Sequence, residues 1–185
     1  MLKAISDALY RLSTGRVTLA GLTVFLLFTA LVLPAQSRQT GGATGDVSSP
    51  DTSFFYSPDD LYSMAEAYGP EGRAAYVRAR LTFDVVWPLV YFWFLGTALS
   101  FVFGRATSPG SPWRYANLAP LFGLIFDYLE NVATSVVMAR YPHPSPLFAT
   151  VAPLFTATKW VFVGGSFALL VIGLFLWVVR RLKER

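Results

Sequence analysis

The run LAPLFGLIFDYLENVATSVVMAR, residues 118–140, decides the fold. From Leu118 to Met138 it has the roughly 20 residues a helix needs to cross a hydrocarbon core. Yet Asp127, Glu130 and Asn131 sit in its middle. At helical spacing these residues and Thr134 share one face, which Gly123 and Pro120 continue. A charge inside a span costs a few kcal/mol, so that face must turn toward other helices. The stretch therefore predicts a membrane bundle in which other spans supply partners for the carboxylates.

Three further segments pass the same length test. Val17 to Leu33 carries no charge and ends at Pro34; Leu81 to Phe103 carries only Asp84; Val151 to Val179 carries only Lys159. The expected spans are about 17–34, 81–104, 116–138 and 151–179, in a single membrane domain over 1–185. The fold class is all-α: a polytopic membrane four-helix bundle with a partly helical outer loop, 35–80, between helices 1 and 2. The first span has basic residues before it, as a secretory signal would. Its apolar run is too long and its cleavage pattern too poor, so it reads as an uncleaved helix.

Composition agrees. The 185 residues are 54% hydrophobic and only 14% charged, where soluble domains carry about a quarter charged. With no cysteine and His143 as the single histidine, disulfides, thiol redox chemistry and multi-histidine metal centres are excluded. No cofactor is expected. A divalent cation at Asp84, Asp127 and Glu130 follows oxygen-ligand logic, but Lys159 nearby argues against it, so no metal is assigned. The net charge of +4 does not indicate nucleic acid, because the basic residues flank the apolar segments. Lys3, Arg11 and Arg16, then Arg105 and Arg114, then Arg180, Arg181, Lys183 and Arg185 mark one side; the third connection has only Arg140, and the first, with Arg38, Arg73, Arg78 and Arg80, is long and also carries several acids. By the positive-inside rule both termini are cytoplasmic.

The outer loop changes character along its length. Gln36 to Pro50, rich in Ser, Thr, Gly and Gln, reads as a mobile linker. Ser57-Pro58-Asp59-Asp60 then supplies an N-cap, a proline at the first helical position and acids in the first turn. Leu61, Met64, Ala65 and Tyr68 follow at helical spacing, Gly69 stops that helix, and Pro70 starts one that runs on into the second span. Such a loop serves either as an interfacial helix resting on the membrane or as a lid over an opening between spans.

The other helices carry matching polar faces. Thr156, Lys159, Val163 and Ser166 align on the fourth; Asp84, Pro88 and Tyr91 align on the second, with Arg80 and Arg73 extending the line outward. Glu130 lies eight residues before Met138 and Lys159 eight after Val151, which places both about 12 Å below the outer helix ends. They are expected to pair, with Asp127 deeper and Asp84 shallower, around an outward-facing pocket walled by Trp87, Tyr91, Tyr128, Phe155 and Trp160. A Glu130–Lys159 clasp that only fixes helix register is the plain alternative. Three carboxylates against one lysine exceed what a clasp needs. The candidate catalytic residues are Asp127, Glu130 and Lys159; the candidate ligand-binding residues are Arg73, Asp84, Tyr91, Asn131, Thr134 and Thr156.

Gly72-Arg73-x-x-Tyr76, Asp84-x-x-x-Pro88-x-x-Tyr91, Phe126-Asp127-x-x-Glu130-Asn131 and Thr156-x-x-Lys159-Trp160 resemble an uncharacterised bacterial four-span integral membrane protein family. The resemblance covers roughly 55–165 and implies the fold and a multi-pass location in a bacterial inner (cell) membrane, but no reaction. In layout alone the chain is also similar to the emopamil-binding-protein type of sterol isomerases, which likewise place buried acids beneath a long first outer loop. That likeness implies a lipid-sized pocket and transfers no residue.

The residues leave three functions open. The first is binding, with or without conversion, of a lipid or other amphiphilic small molecule, with carboxyls as acid and base and Lys159 stabilising negative charge. The second is proton or small-ion transport, for which an oligomer would have to complete a path through the apolar inner half. The third is a non-catalytic assembly subunit whose stripe faces a membrane partner. Membrane lipids are partners in all three. No H-E-x-x-H, G-x-S-x-G or P-loop motif is present, and four helices make a poor cage for a retinal Schiff base on Lys159.

Overall fold

The computed structural model describes residues 1–44 and 48–183. Its helices are α1 (Leu2–Leu12), α2 (Gly15–Leu27), α3 (Leu33–Thr44), α4 (Pro58–Ala67), α5 (Gly69–Ala106), α6 (Ala119–Arg140) and α7 (Pro146–Lys183), and no strand occurs among the described residues. Four stretches are long and apolar enough to cross a membrane: Gly15–Gln36, Gly69–Ala106, Pro112–Arg140 and Pro146–Lys183. That is the pattern of a multi-pass membrane protein. At 38 residues each, α5 and α7 are about 57 Å long. They outrun a hydrocarbon core of about 30 Å.

α5 is the central element. It packs against α1, α2 and α3 on one side and against α6 and α7 on the other. The α6–α7 contact is the most extensive, and small residues allow it. There a Cβ on Gly123 would stand 2.9 Å from Val163 Cγ2; at the α5–α7 contact one on Gly173 would stand 2.9 Å from Val102 and Phe103 side-chain atoms. Larger residues at these places would push the helices apart. Many large apolar side chains outside these contacts point outward, Leu26, Leu89, Val132, Val161 and Phe175 among them.

The first span does not stop at Pro34. Its helix continues to Thr44 after one wide π-type turn at Phe28–Val32. Pro34 has no N–H for the carbonyl one turn back, and its ring crowds that turn; the widened turn just before it absorbs both effects. Residues 36–44, expected as a mobile linker, are therefore helical. Extending an existing helix costs far less than nucleating one, so polar residues can follow it. Gly45, Asp46 and Val47 of that expected linker lie outside the described residues.

At the loop end of the bundle α4 forms as its sequence predicts. Ser57 Oγ accepts from the Asp60 N–H, and the Asp60 carboxylate accepts from the Ser57 N–H, a reciprocal cap. Leu61, Ala65 and Tyr68 pack into one cluster with Tyr76, Ala133, Val137, Met138, Ala149 and Ala152. α4 thus seals the ends of α6 and α7. Gly69, at φ +62°, turns the chain from α4 into α5 in the left-handed conformation that only glycine adopts freely.

At the opposite, tail end a buried polar clasp ties α1 to the rest. Ser6 Oγ donates to Asn117 Oδ1 at 2.9 Å, and Asn117 Nδ2 donates to Ser100 Oγ at 3.0 Å. Tyr10 Oη donates to the Arg114 carbonyl at 2.8 Å, and the Arg114 guanidinium lies over the Tyr10 ring. Every member of this clasp has a partner, which is the condition for burying such groups without penalty.

Candidate functional site

Between the first span and α7, with α5 as its floor, lies a cavity of about 550 Å³. The first span contributes Phe25, Leu33 and Gln36, and α7 contributes Lys159, Trp160, Val163 and Phe167. α5 lays down Ala79, Arg80, Phe83, Asp84, Trp87 and Tyr91, and α6 adds Asp127. A roof is made by Ser48, Ser49, Asp51 and Thr52, with Tyr68 beside it. Aromatic stacking closes the deep end: Phe25 lies 5.6 Å from Trp87, 5.0 Å from Phe94 and 6.0 Å from Phe167.

One wall is charged. Arg80 bridges two carboxylates, its Nη1 2.6 Å from Asp84 Oδ2 and its Nη2 2.9 Å from Asp51 Oδ1. The first pair is one helical turn apart on α5, where four-residue spacing brings side chains together. The second joins the roof to the bundle. Lys159 Nζ lies 2.6 Å from Glu130 Oε2, across the tight α6–α7 contact that Gly123 allows. Asp127 is held differently: Tyr91 Oη donates to its Oδ2 and Asn131 Nδ2 to its Oδ1, both at 3.1 Å. Among the described residues no cation lies within ion-pair distance of Asp127. Arg80 Nε and Glu130 Oε1 find no hydrogen-bond partner among them either.

The roof is pinned at several points. Trp160 Nε1 donates to the Asp51 carbonyl at 3.1 Å, Tyr68 Oη donates to the Ser48 carbonyl at 3.1 Å, and Tyr56 Oη and Thr156 Oγ1 are 2.9 Å apart. Ser49 Oγ donates to the Asp51 carboxylate. Burial pushes the Asp51 carboxyl up; the charges of Arg80 and Lys159, with hydrogen bonds from Ser49 and Arg80, overcome that and hold it below its ordinary value. The field at this spot therefore favours a negative group.

The expected site residues divide. Asp84, Tyr91, Asp127 and Lys159 line the cavity. Glu130 does not: it is fully buried behind Lys159 and touches the cavity only through that residue. Asn131 stands behind Asp127 in the same way. Thr134 Oγ1 is spent on the Glu130 carbonyl, and Thr156 Oγ1 on the Ala152 carbonyl and Tyr56. Arg73 lies away from the cavity: its Nη1 donates to the Ala65 carbonyl, and its guanidinium covers Tyr141, so it staples α4 to α5 and to the third connection. Arg73 stays within about 20° of the face that carries Arg80, but it lies two turns further along α5, where its neighbours are α4 and Tyr141 and not the cavity. Of the expected aromatic wall, Trp87, Tyr91 and Trp160 are present. Tyr128 instead reaches the Val85 carbonyl, and Phe155 packs on Phe126.

Asp51 and Arg80 are the groups whose part in the site was not foreseen. Arg80 shares a face with Asp84, and its charge at a four-residue step from that carboxylate is the signal the sequence carries. Asp51 sits in a serine- and threonine-rich stretch with nothing local to mark it. Within the outer loop the two parts cover different things: α4 packs on the α6–α7 core, while residues 48–52 cover the cavity. No protein-family model, curated protein or solved structure matches this chain.

Proposed function

We propose that this chain is a bacterial inner-membrane protein of the four-span family it resembles, a bundle with both termini cytoplasmic, and that its outward-facing cavity binds one amphiphilic small molecule. The basic residues support the orientation. Tyr10 and Arg114 join α1 to the second connection, and Phe101 meets Trp177 near the ends of α5 and α7. Arg11, Arg16, Arg105, Arg114, Arg180, Arg181 and Lys183 thus gather at one end, the cytoplasmic one under the positive-inside rule.

One observation carries the function: a single cavity wall mixes bulky aromatics with a buried network of Arg80, Lys159 and carboxylates, within about 550 Å³. Binding sites for single small molecules run from about 300 to 1,000 Å³, mostly apolar with a few placed polar groups. A register clasp needs the Glu130–Lys159 pair, but no cavity in front of it. Asp127, a buried carboxyl with no cation in ion-pair distance among the described residues, lines the cavity beside Tyr91 and is the group placed to exchange a proton with a bound molecule if conversion follows binding.

A diazirine-bearing single-chain amphiphile, irradiated with the protein in lipid vesicles, tests this reading. The expected adducts fall on peptides containing Trp87, Tyr91 and Trp160 and are suppressed by excess unlabelled amphiphile. Adducts confined to outward residues such as Leu89 and Phe175, unaffected by competitor, would remove the basis for a binding site.

A further inference from the structure

The roof presents a side chain that has the chemistry of a ligand. Asp51 comes from outside the bundle, from a short turn at Pro50–Thr52, and its carboxylate reaches the Arg80 guanidinium at 2.9 Å. Arg80 already has a carboxylate partner on its own helix in Asp84. The second one, contributed by the loop, takes Nη2, the arm of the guanidinium that Asp84 leaves, and both Asp51 and Arg80 line the cavity. A planar guanidinium with several donors is well suited to carboxylate and phosphate groups. It is only 8% exposed here, and its Nε still has no hydrogen-bond partner among the described residues.

We propose that the head group of the bound amphiphile is an anion, a carboxylate or phosphate, seated on Arg80 beside Lys159 in the place that the Asp51 carboxylate occupies. The proposal rests on reading the cavity as an amphiphile site. Its logic is exchange: one anion leaves the guanidinium and another arrives, so the charge count of the buried network is unchanged. The field of Arg80 and Lys159 already holds Asp51 ionised against the cost of burial, so a ligand anion meets the same field. An ammonium head at this position would face two cations. Asp127, deeper in the cavity, is the group such a ligand would have to use instead. Asp51 then acts as a tethered competitor, and the measured affinity is lowered by the fraction of molecules in which it fills the seat.

The test compares wild type, Asp51→Ala and Asp51→Asn, purified in a neutral detergent, by equilibrium dialysis with laurate, dodecyl phosphate and dodecylamine. Circular dichroism and gel filtration confirm that the variants are folded; Asp51→Asn keeps the shape of the side chain if the alanine variant proves unstable. The expected result is that an anionic probe binds wild type and binds the variants about tenfold more tightly, while dodecylamine gains nothing. The contrast between laurate and dodecyl phosphate separates a carboxylate from a phosphate head. Unchanged anion binding in both variants, or tighter binding of dodecylamine than of either anion, overturns the anion seat and leaves the cavity reading intact. No binding of any of the three probes to wild type or variants overturns the cavity reading together with it.

Discussion

Lys159→Met lowers stability by about 3–5 kcal/mol, the typical cost of removing one partner from a buried ion pair. Glu130 is fully buried, its Oε2 rests 2.6 Å from Lys159 Nζ, and its Oε1 has no hydrogen-bond partner among the described residues. With the ammonium gone, the carboxyl is left in an apolar helix contact with nothing to offset its desolvation. The double variant Lys159→Met/Glu130→Gln removes the stranded charge and recovers most of the loss. Glu130→Gln alone costs less, because the negative charges of Asp127 and Asp51 still act on Lys159. The readout is the fraction of detergent-solubilised protein that stays monodisperse after heating. Equal losses in the single and double variants would show that the damage comes from packing and not from the orphaned carboxylate.

Arg80→Leu has an effect of similar size with a different signature. It strands two carboxylates, Asp84 on α5 and Asp51 in the roof, and removes a guanidinium that lies 4.4 Å from the Tyr76 ring centre. Asp51 is about one-quarter exposed and finds water when released. Asp84 does not, so about 3 kcal/mol of the loss traces to it, and Asp84→Asn in the same chain restores much of that. The roof stays detached in both variants. Limited proteolysis within residues 48–56 is therefore faster in Arg80→Leu and in Arg80→Leu/Asp84→Asn than in wild type. Cleavage at the wild-type rate would show that Trp160, Tyr68 and Tyr56 hold the roof without the ion pair.

Much of this arrangement is legible in the sequence because lipid imposes simple rules. Long apolar stretches had to be helices, and each of the four candidate spans lies inside one of the four long apolar stretches of helix. The chief departure is the first, where Pro34 is absorbed within a helix instead of ending it. The three- and four-residue spacing of Asp127, Glu130 and Asn131, with a rise of 1.5 Å per residue, brought Glu130 and Lys159 to one depth. Which side of a pair faces a cavity is another matter. It depends on the rotation of α6 against α7, set by Gly123 meeting Val163, and periodicity leaves that rotation free by tens of degrees. Glu130 and Asn131 consequently fell behind the wall that Lys159 and Asp127 form. Arg73 was misplaced because its contacts are with α4, an element whose position no local pattern reveals. Asp51 reaches Arg80 across 29 positions of chain. Such long-range contacts leave no trace in composition or spacing.

The central claim is that the cavity holds one amphiphilic molecule. The most direct measurement is mass spectrometry of small molecules retained by the purified protein, wild type beside Ala79→Trp. Ala79 lines the cavity next to Arg80, and an indole there fills a large part of the space. Repacking costs about 1–3 kcal/mol, within what gel filtration can verify as folded. The account predicts a discrete amphiphile bound one per chain in wild type and missing from Ala79→Trp. The same bulk-lipid profile from both folded proteins would contradict it.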